Sequence, residues 1–431
     1  MKSRATALLS LRCLLMAASF AAMGARAAAG APEEFQSLLT RMHQAYSQSD
    51  WKDYRTGARE LLRFLNGSPA AMLELARADA RTCDLRGAMQ ELQTIARMGV
   101  TQANAGTLPD FSALRSEAGF RGVLRRMSAN GKPVSRAHLA FVLPDPGLLP
   151  EDLTYDPTHR EFLLTSVREA RIVAIVPGGW MTTFARAPDG WPMMAVRIDL
   201  QHRVVWATQV ALAGFQSVPR RDWGRSSILE YTLGSHRLLR RIEGPRGSHL
   251  GDMALSSAGD LLVADSHGGG LYLVRHHDHT LMPLATHQFV FPMTPAFVSA
   301  DHAYVADYVR GIGLLDLGRD RVEWLPMGNE YALQGTDGLY WYRGRLIAIQ
   351  NGLAPERIMS FSLDTRGAAI SRERSIQSGT PGLDPTHGVI VGNSFYYIAN
   401  SGWNELKDDG SVRRGVRLTP AAVMRAPLRD L

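Results

Sequence analysis

The sequence predicts a mainly β protein with a small α module: a six-bladed β-propeller preceded by helical-hairpin repeats. From about residue 143, short runs of Val, Ile, Leu and Tyr alternate with Gly, Asp, Pro and Ser, which is the chemistry of strands and turns. Six of these runs end in a short polar residue at a nearly regular separation. Before residue 128, Ala, Leu, Arg and Glu recur at helical spacing. A chain of 431 residues that is 45% hydrophobic can bury the cores of two such domains.

The N-terminal segment has the order of a secretory signal peptide. Lys2 and Arg4 precede an apolar run, and small residues follow it up to the cleavage pattern Ala25-Arg26-Ala27. We therefore expect a signal peptide at 1–27 and a secreted or periplasmic protein of bacterial type. The apolar run is shorter than the roughly 18 residues of a membrane-spanning helix, so no membrane span is expected.

Charge and cysteine content exclude several classes of partner and site. Cleavage lowers the formal charge from +7 to +3, because residues 1–27 contain four basic residues and no acidic one. No basic run with interleaved aromatic residues remains, so no nucleic-acid partner is expected. Of the two cysteines only Cys83 follows the leader. The mature chain is therefore expected to have no internal disulfide and no thiolate metal cluster.

Residues 32–128 are predicted to form a helical module. Ala45 and Gly57 are twelve residues apart, as are Ala76 and Ala88, and small residues at this spacing let antiparallel helices approach closely. The pattern resembles the tetratricopeptide repeat, although the period is shorter and the aromatic residue of its first helix is missing. The resemblance implies a small surface for a protein or peptide partner. The alternative is a generic helical hairpin packed on the next domain.

The propeller prediction depends on six polar strand ends. Their separations range from 42 to 57 residues, close to the roughly 40 to 50 residues of a four-stranded blade. The longest interval is explained by an insertion, AGFQSVPRRDWGRSS, in blade two. Six blades then fit residues 143–425. The six residues are Ser166, Thr208, Asp265, Asp307, Asn351 and Asn400.

A second set of residues is expected at the starts of the innermost strands, about a dozen positions before each polar end. In a closed wheel these positions converge around the axis at one mouth of the channel. Asp and Asn at strand ends often cap backbone groups, which is the structural alternative for each of them. The set is Glu151 with Asp152, Met194, Asp252, Thr294, Asp337, and Thr386 with His387.

The carboxylates of this set are candidate metal ligands. Oxygen ligands spread around a ring suit a hard divalent cation, with calcium as the candidate. Like charges that converge without a cation raise one another's pKa. The sequence therefore predicts Glu151, Asp252 and Asp337 as metal ligands, completed by water, backbone carbonyls or a neighbour such as Asn351 or Thr294.

Four segments resemble the group of six-bladed propellers that includes senescence marker protein, gluconolactonase and related lactonases. They are PEDLTYDPTHREFLLTSV, GDMALSSAGDLLVADSHGGGLY, AYVADYVRGI and TDGLYW. The resemblance implies a divalent cation held by a Glu of the first blade, an Asn of the fourth and an Asp of the fifth, with a further Asn in the third. Glu151 and Asp337 match, whereas Thr294 stands near the fourth-blade Asn, and Gly251, next to Asp252, near the third.

Two classes of function follow. The resemblance implies hydrolysis of a small lactone or ester bound in the channel mouth, where a cation polarises the carbonyl and Asp252 or Asp337 orients or deprotonates water. His387 is a candidate general base or anion-binding residue, with a structural role as the alternative. The second class is a non-catalytic propeller whose pocket or helical repeats bind a partner. No G-x-S-x-G motif supports a serine nucleophile.

The histidine-rich segment HHDH, at 276–279, is a candidate zinc site. It lies in a polar turn, and its alternating spacing directs the side chains apart. A solvated loop is the favoured interpretation of this segment.

Overall fold

The computed structural model describes residues 30–278 and 280–429, so the predicted signal peptide lies outside the described residues. The chain begins with helices and continues with strands. A short 3₁₀ helix at Pro109–Leu114 precedes the last α-helix. The α-helices are α1 (Ala31–Ser47), α2 (Trp51–Phe64), α3 (Pro69–Arg81), α4 (Leu85–Arg97) and α5 (Ala118–Asn130). None of these described helices combines the length and the hydropathy needed to cross a bilayer.

The paired small residues lie where consecutive helices touch. Ala45, Ala76 and Ala88 are buried. A Cβ atom at Gly57 would lie 2.6 Å from the Cγ atom of Met42, so α2 approaches α1 too closely for a larger side chain. Helical hairpins are therefore present, and the resemblance to the tetratricopeptide repeat stays a prediction.

Six antiparallel sheets form the blades, which confirms the predicted six-bladed propeller. Two strands precede the first blade, β1 (Val134–Ser135) and β2 (His138–Val142). Blade 1 contains β3 (Pro150–Asp156), β4 (Glu161–Ser166), β5 (Arg171–Ile175) and β6 (Met181–Arg186). Blade 2 contains β7 (Met193–Asp199), β8 (Val204–Val210), β9 (Ser226–Thr232) and β10 (Leu238–Glu243). Blade 3 contains β11 (Leu250–Leu255), β12 (Leu261–Asp265), β13 (Gly270–Val274) and β14 (Met282–Leu284).

The remaining blades follow in chain order. Blade 4 contains β15 (Pro292–Phe297), β16 (His302–Asp307), β17 (Gly311–Asp316) and β18 (Arg321–Trp324). Blade 5 contains β19 (Thr336–Tyr342), β20 (Arg345–Gln350), β21 (Arg357–Leu363) and β22 (Ile370–Ser378), with β1 added at its edge. Blade 6 contains β23 (Gly388–Val391), β24 (Ser394–Ile398), β25 (Ala422–Pro427) and β2.

The innermost strands form a closed circle. Each of β3, β7, β11, β15, β19 and β23 contacts the next, and β23 contacts β3. The circle is fastened in blade 6, where β2 from the start of the propeller pairs with β25 from its end, with Val142 opposite Ala422. Closure leaves the short inner strands no free edge and brings their starts to a common axis.

The polar strand ends act mainly as caps at the corners of the blades. Asp307 accepts hydrogen bonds from the backbone N–H groups of Val290 (2.6 Å) and Arg310 (3.0 Å). Asp265 accepts one from His249 (2.8 Å). The regular recurrence of short polar residues in the sequence therefore reflects backbone groups that each blade corner must satisfy.

The helical module packs on the face of the propeller where the inner strands start. The loops after β14, β16, β18 and β20 supply contacts. The loop after β20 lies at the starting end of β19 because β19 and β20 are antiparallel. The Asn66 side chain donates to the Leu325 carbonyl (2.9 Å), and the backbone N–H of Thr101 donates to the Ala354 carbonyl (2.6 Å). The module thus covers part of blades 4 and 5 on this face.

Candidate functional site

Five of the six inner-strand starts bring a polar cluster to the axis of the propeller, which we call the central site. It contains Glu151 of β3, Asp252 of β11, Thr294 of β15, Asp337 of β19, and His387 directly before β23. All five side chains are buried. Each lies at or near the start of the innermost strand of its blade. Because the propeller is a closed circle, these residues lie close together although they are far apart in the sequence.

His387 lies at the middle of the central site. Its Nε2 atom is 3.1 Å from Asp252 Oδ1 and 3.1 Å from Thr294 Oγ1. Its Nδ1 atom is 3.1 Å from the backbone carbonyl of Glu151 and 4.0 Å from the Oε1 atom of that residue. The imidazole, which belongs to blade 6, therefore contacts groups of blades 1, 3 and 4.

Three residues bring potential metal-binding atoms together. One donor atom from each of Glu151, Asp337 and His387 lies within 4.8 Å of the other two. Asp252, the third carboxylate of the predicted ligand set, reaches this group through its contact with His387. The structure thus brings the three predicted carboxylates to one place and positions an imidazole between them.

Burial and neighbouring charges shift the pKa values of the central site. Burial raises the pKa of Glu151 to about 8, helped by Asp337 and Asp252 and opposed by His387 and a hydrogen bond from Trp403. Burial alone would lower the pKa of His387, but the nearby carboxylates of Asp252 and Asp337 outweigh it and hold that pKa well above its ordinary value. At neutral pH the imidazole is therefore a cation and Glu151 holds a proton.

Asp152, the neighbour of Glu151, belongs to a separate buried pair. Its carboxylate forms an ion pair with Arg197 and accepts a hydrogen bond from the backbone N–H of Val196 (2.9 Å). Burial and the charge of Asp152 raise the pKa of Tyr340 well above its ordinary value, and the Tyr340 hydroxyl accepts a hydrogen bond from the N–H of Gly388 (2.7 Å). Asp152 is thus paired with Arg197, and its charge raises the pKa of His387 less than the charges of Asp252 and Asp337 do.

Trp403 contacts the central site and was not found by sequence reasoning. Its indole N–H donates to Glu151 Oε2 at 2.6 Å. It lies in the loop between β24 and β25, at residues 399–421, 252 positions from its partner. A long polar loop carries no periodic signal, so nothing in its sequence marks Trp403.

Asn351 is the one polar strand end that turns toward the central site. Its side-chain amide donates to Asp337 Oδ2 (2.6 Å) and to the Pro385 carbonyl (2.9 Å), and its oxygen accepts from the Tyr308 hydroxyl (3.1 Å). Tyr308 also packs against the apolar core of the helical module. Contacts thus run from the module to the carboxylate of Asp337.

His249 is a further buried imidazole, at the start of β11. Burial, together with the nearby His267, lowers the pKa of His249 to about 3, so the ring is neutral at physiological pH. The two rings are 4.9 Å apart, measured between their centroids. Sequence reasoning passed over His249 because it lies three residues before Asp252, outside the counted positions.

Two long loops cover the central site on the side of blades 1 and 2. The loop 211–225 of blade 2, which contains most of the insertion predicted at 213–227, meets the loop 399–421. The N–H of Gln216 donates to the Asp409 carbonyl (3.0 Å), and the Phe215 ring lies against Gly410. Leu406 of the second loop shares a buried cluster with Met194 and Phe215. The central site is therefore enclosed by these loops on one side and by the helical module on the other.

Comparison with known proteins gives structural similarity only. No family model and no curated protein matches the sequence. Similar solved structures include the calcium-binding protein regucalcin of Agrobacterium tumefaciens, with 13% identity and a TM-score of 0.47 over 67% of this chain and 93% of that one. The aldose sugar dehydrogenase of Streptomyces coelicolor, bound to PQQ, has 11% identity and a TM-score of 0.46 over 68% and 99% of the two chains.

A third similar structure, virginiamycin B lyase of Staphylococcus aureus, has 13% identity and a TM-score of 0.44 over 68% of this chain and 88% of that one. The similar structures thus include a calcium-binding protein, a dehydrogenase and a lyase. Similarity at this level assigns no activity to the chain.

Proposed function

We propose that this protein hydrolyses a small ester or lactone at the central site and that Glu151, Asp337 and His387 hold a divalent cation there. The observation that carries the proposal is the convergence of one donor atom from each of these residues within 4.8 Å. Ligand atoms bound to one cation at 2.0 to 2.5 Å lie at most about 4 to 5 Å apart.

The charge of the central site suits a divalent cation. Three carboxylates, those of Glu151, Asp252 and Asp337, face one imidazole. The pKa of Glu151 is raised first by its burial and then by the negative charges of the other two carboxylates. A divalent cation would replace the protons that now relieve this crowding. The donor set of two carboxylates and one imidazole suits manganese or zinc as well as the calcium that the sequence suggests.

His387 and Asp252 form the kind of pair that orients a metal ligand. The Nε2–H of His387 can donate to Asp252 Oδ1 (3.1 Å), which leaves Nδ1 directed toward the Glu151 side of the site. A carboxylate in this position fixes the ring and makes the imidazole a stronger ligand. We therefore assign Asp252 the role of positioning His387.

Asp252 also serves as the general base in the proposed reaction. When bound, the cation polarises the ester carbonyl and stabilises the oxyanion. Asp252 takes a proton from water, the water oxygen bonds to the carbonyl carbon, and the carbon–oxygen bond of the ester breaks. The departing alkoxide receives the proton. Hydrogen bonds from Asn351 to Asp337 and from Trp403 to Glu151 keep these two carboxylates fixed during the reaction.

The location and partners of the protein form part of the proposal. The leader at 1–27 supports a secreted or periplasmic protein, tested by the intact mass of exported protein, which should begin near Ala28. A small-molecule ligand is expected in the channel mouth. A peptide or protein partner on the helical module is a further expectation, restricted to the surface that does not pack on the propeller.

The test combines metal analysis with activity. Purified full-length mature protein is analysed for metal content, stripped with a chelator, titrated with calcium, magnesium, manganese and zinc, and assayed on a panel of lactones and esters. Glu151→Gln, Asp337→Asn and His387→Gln should each abolish hydrolysis and weaken cation binding. Asp301→Asn, in an exposed turn of blade 4, is the control and should change neither.

One observation favours a second candidate, a non-catalytic propeller that binds a partner. His387 already bonds groups from three other blades and is buried, as expected of a purely structural centre. If the protein is a non-catalytic propeller, His387→Gln should lower the unfolding midpoint, no cation should bind, and no substrate of the panel should be hydrolysed.

A further inference from the structure

A second group of metal-binding side chains lies between blades 2 and 3, far from the central site. Asp199 ends β7, His202 follows in the turn to β8, and His276 follows β13. One donor atom from each of the three lies within 4.8 Å of the other two. The turn after β7 is at the opposite end of that strand from the central site, so the two groups are on opposite faces of the propeller.

Two of the three residues, Asp199 and His202, form a turn motif that also occurs in blade 1. In blade 2, Asp199 Oδ2 lies 2.7 Å from His202 Nδ1, and in blade 1 Asp156 Oδ2 lies 2.7 Å from His159 Nδ1. Both pairs stand in the pattern Asp-x-x-His-Arg. The aspartate–histidine pair alone therefore has a structural purpose.

His276 is what distinguishes the blade 2 turn. Its backbone N–H donates to Asp260 Oδ1 (3.0 Å), which fixes the segment after β13 beside the neighbouring blade. Its ring lies face to face with that of His202, with the centroids 3.3 Å apart and the planes at 22°. In blade 1 the third donor is the carboxylate of Glu161, and His159 is exposed.

A nitrogen of His276 has no hydrogen-bond partner. Its Nδ1 atom is inaccessible to solvent, yet no group in the described part of the chain bonds to it. A buried polar atom without a partner is costly unless something else binds it. Besides burial, the positive charge of Arg240 contributes to the lowered pKa of His276, but the Arg240 guanidinium is ion-paired with Glu230 at 3.1 Å.

We infer that Asp199, His202 and His276 form a second metal site, one that binds zinc and fastens blade 2 to blade 3. Imidazole nitrogen and carboxylate oxygen are zinc ligands, and three protein ligands leave one position for water. The donor atoms lie within 4.8 Å of one another, whereas two ligands of a tetrahedral zinc ion are about 3.3 Å apart, so the partly exposed His276 ring must turn out of its stacked contact with His202 when zinc binds. The interpretation of 276–279 as a solvated loop holds for His277, which is exposed, and not for His276.

Zinc titration of tag-free, chelator-treated full-length protein tests this inference. His276→Gln should weaken zinc binding at the new site at least about tenfold, because it removes a ligand. His159→Gln, in the equivalent turn of blade 1, should leave that binding unchanged. Glu151→Gln should also leave it unchanged, which separates this site from the central one.

Thermal unfolding gives a second readout. A ligand that binds only the folded protein raises the unfolding midpoint, so zinc should raise it in Glu151→Gln, where the central site is weakened, but not in the double variant Glu151→Gln/His276→Gln. The inference is overturned if His276→Gln binds zinc as the wild type does, if His159→Gln lowers binding equally, or if Glu151→Gln binds no zinc.

Discussion

Glu151 gives the sharpest prediction, because its raised pKa links the stability of the cation-free protein to pH. In the folded protein this carboxyl group has a pKa of about 8, against an ordinary value of 4.5. Between these pH values the unfolded chain loses the proton while the folded protein keeps it. The free energy of unfolding should therefore fall as pH rises through this window and should be highest below its lower limit.

The size of the effect follows from the shift. Each unit of pKa difference corresponds to about 1.4 kcal/mol, so the contribution of Glu151 should fall by about 5 kcal/mol between pH 4.5 and 8. Glu151→Gln keeps the size of the side chain and an oxygen that can accept the Trp403 N–H, but it cannot ionise. The variant should lack this part of the pH dependence and become more stable than the wild type as pH rises.

Urea unfolding of both proteins, with a chelator present and at several values from about pH 5 to about pH 8, measures the difference directly. His387 titrates in both proteins, so its contribution largely cancels in the comparison. Calcium or manganese added at the upper end of the range should restore stability to the wild type alone. Parallel curves for the two proteins, or a wild type that gains stability with rising pH, would refute the reasoning.

Three further substitutions probe the surroundings of the central site. Trp403→Phe removes the indole N–H that lowers the pKa of Glu151 and should weaken cation binding about tenfold in calorimetry. The control is Trp223→Phe, because the Trp223 indole donates only to a backbone carbonyl. Equal effects of the two substitutions would contradict the prediction. Asn351→Ala removes the amide that holds a ligand carboxylate and should weaken cation binding by a similar factor, whereas Asn400→Ala, at the equivalent strand end of blade 6, should lower only stability. Arg357→Met should destabilise the junction of module and propeller by about 3 kcal/mol in urea unfolding and expose residues 131–137 to limited proteolysis; unchanged values would show that this buried cation contributes nothing.

Much of the fold could be predicted because each blade repeats the same backbone requirement. The polar residues at positions such as Asp265 and Asp307 satisfy N–H groups at the blade corners, so they recur with the period of the blade. The positions counted back from them contain Glu151, Asp252 and Asp337, because the two innermost strands of a blade pair in nearly constant register. Repetition thus makes both the architecture and the location of the acidic ring visible in the sequence.

The parts of the site that do not repeat could not be predicted in the same way. Trp403 reaches Glu151 from an irregular loop, and the position of that loop depends on its contact with another loop almost two hundred residues earlier. The central position of His387 depends on which neighbouring side chains point toward the axis, and the spacing of residues in the sequence does not show this. The closing strand β2 was outside the predicted propeller, 143–425, because a single strand separated from its blade by the whole chain carries no period.

The two coverings of the central site each hold one of its carboxylates, and this determines how a ligand can enter. The loop 399–421 bonds Glu151 through Trp403, while the helical module reaches Asp337 through Tyr308 and Asn351. The module is anchored by buried apolar clusters and by the buried Arg357, which bonds the carbonyl of Met98. The outer part of the loop depends on exposed polar contacts between Gln216 and Asp409.

Segments held by few buried contacts open at the lowest free energy, so the loop should move before the module does. Opening the loop breaks the Trp403 hydrogen bond, which lowers the pKa of Glu151, but it also admits water to a carboxyl group whose burial is the largest cause of its raised pKa, so the group loses its proton more easily. Closing the loop favours the protonated form again. Movement of this one loop therefore couples access to the central site with the protonation state of the residue that we propose as a cation ligand.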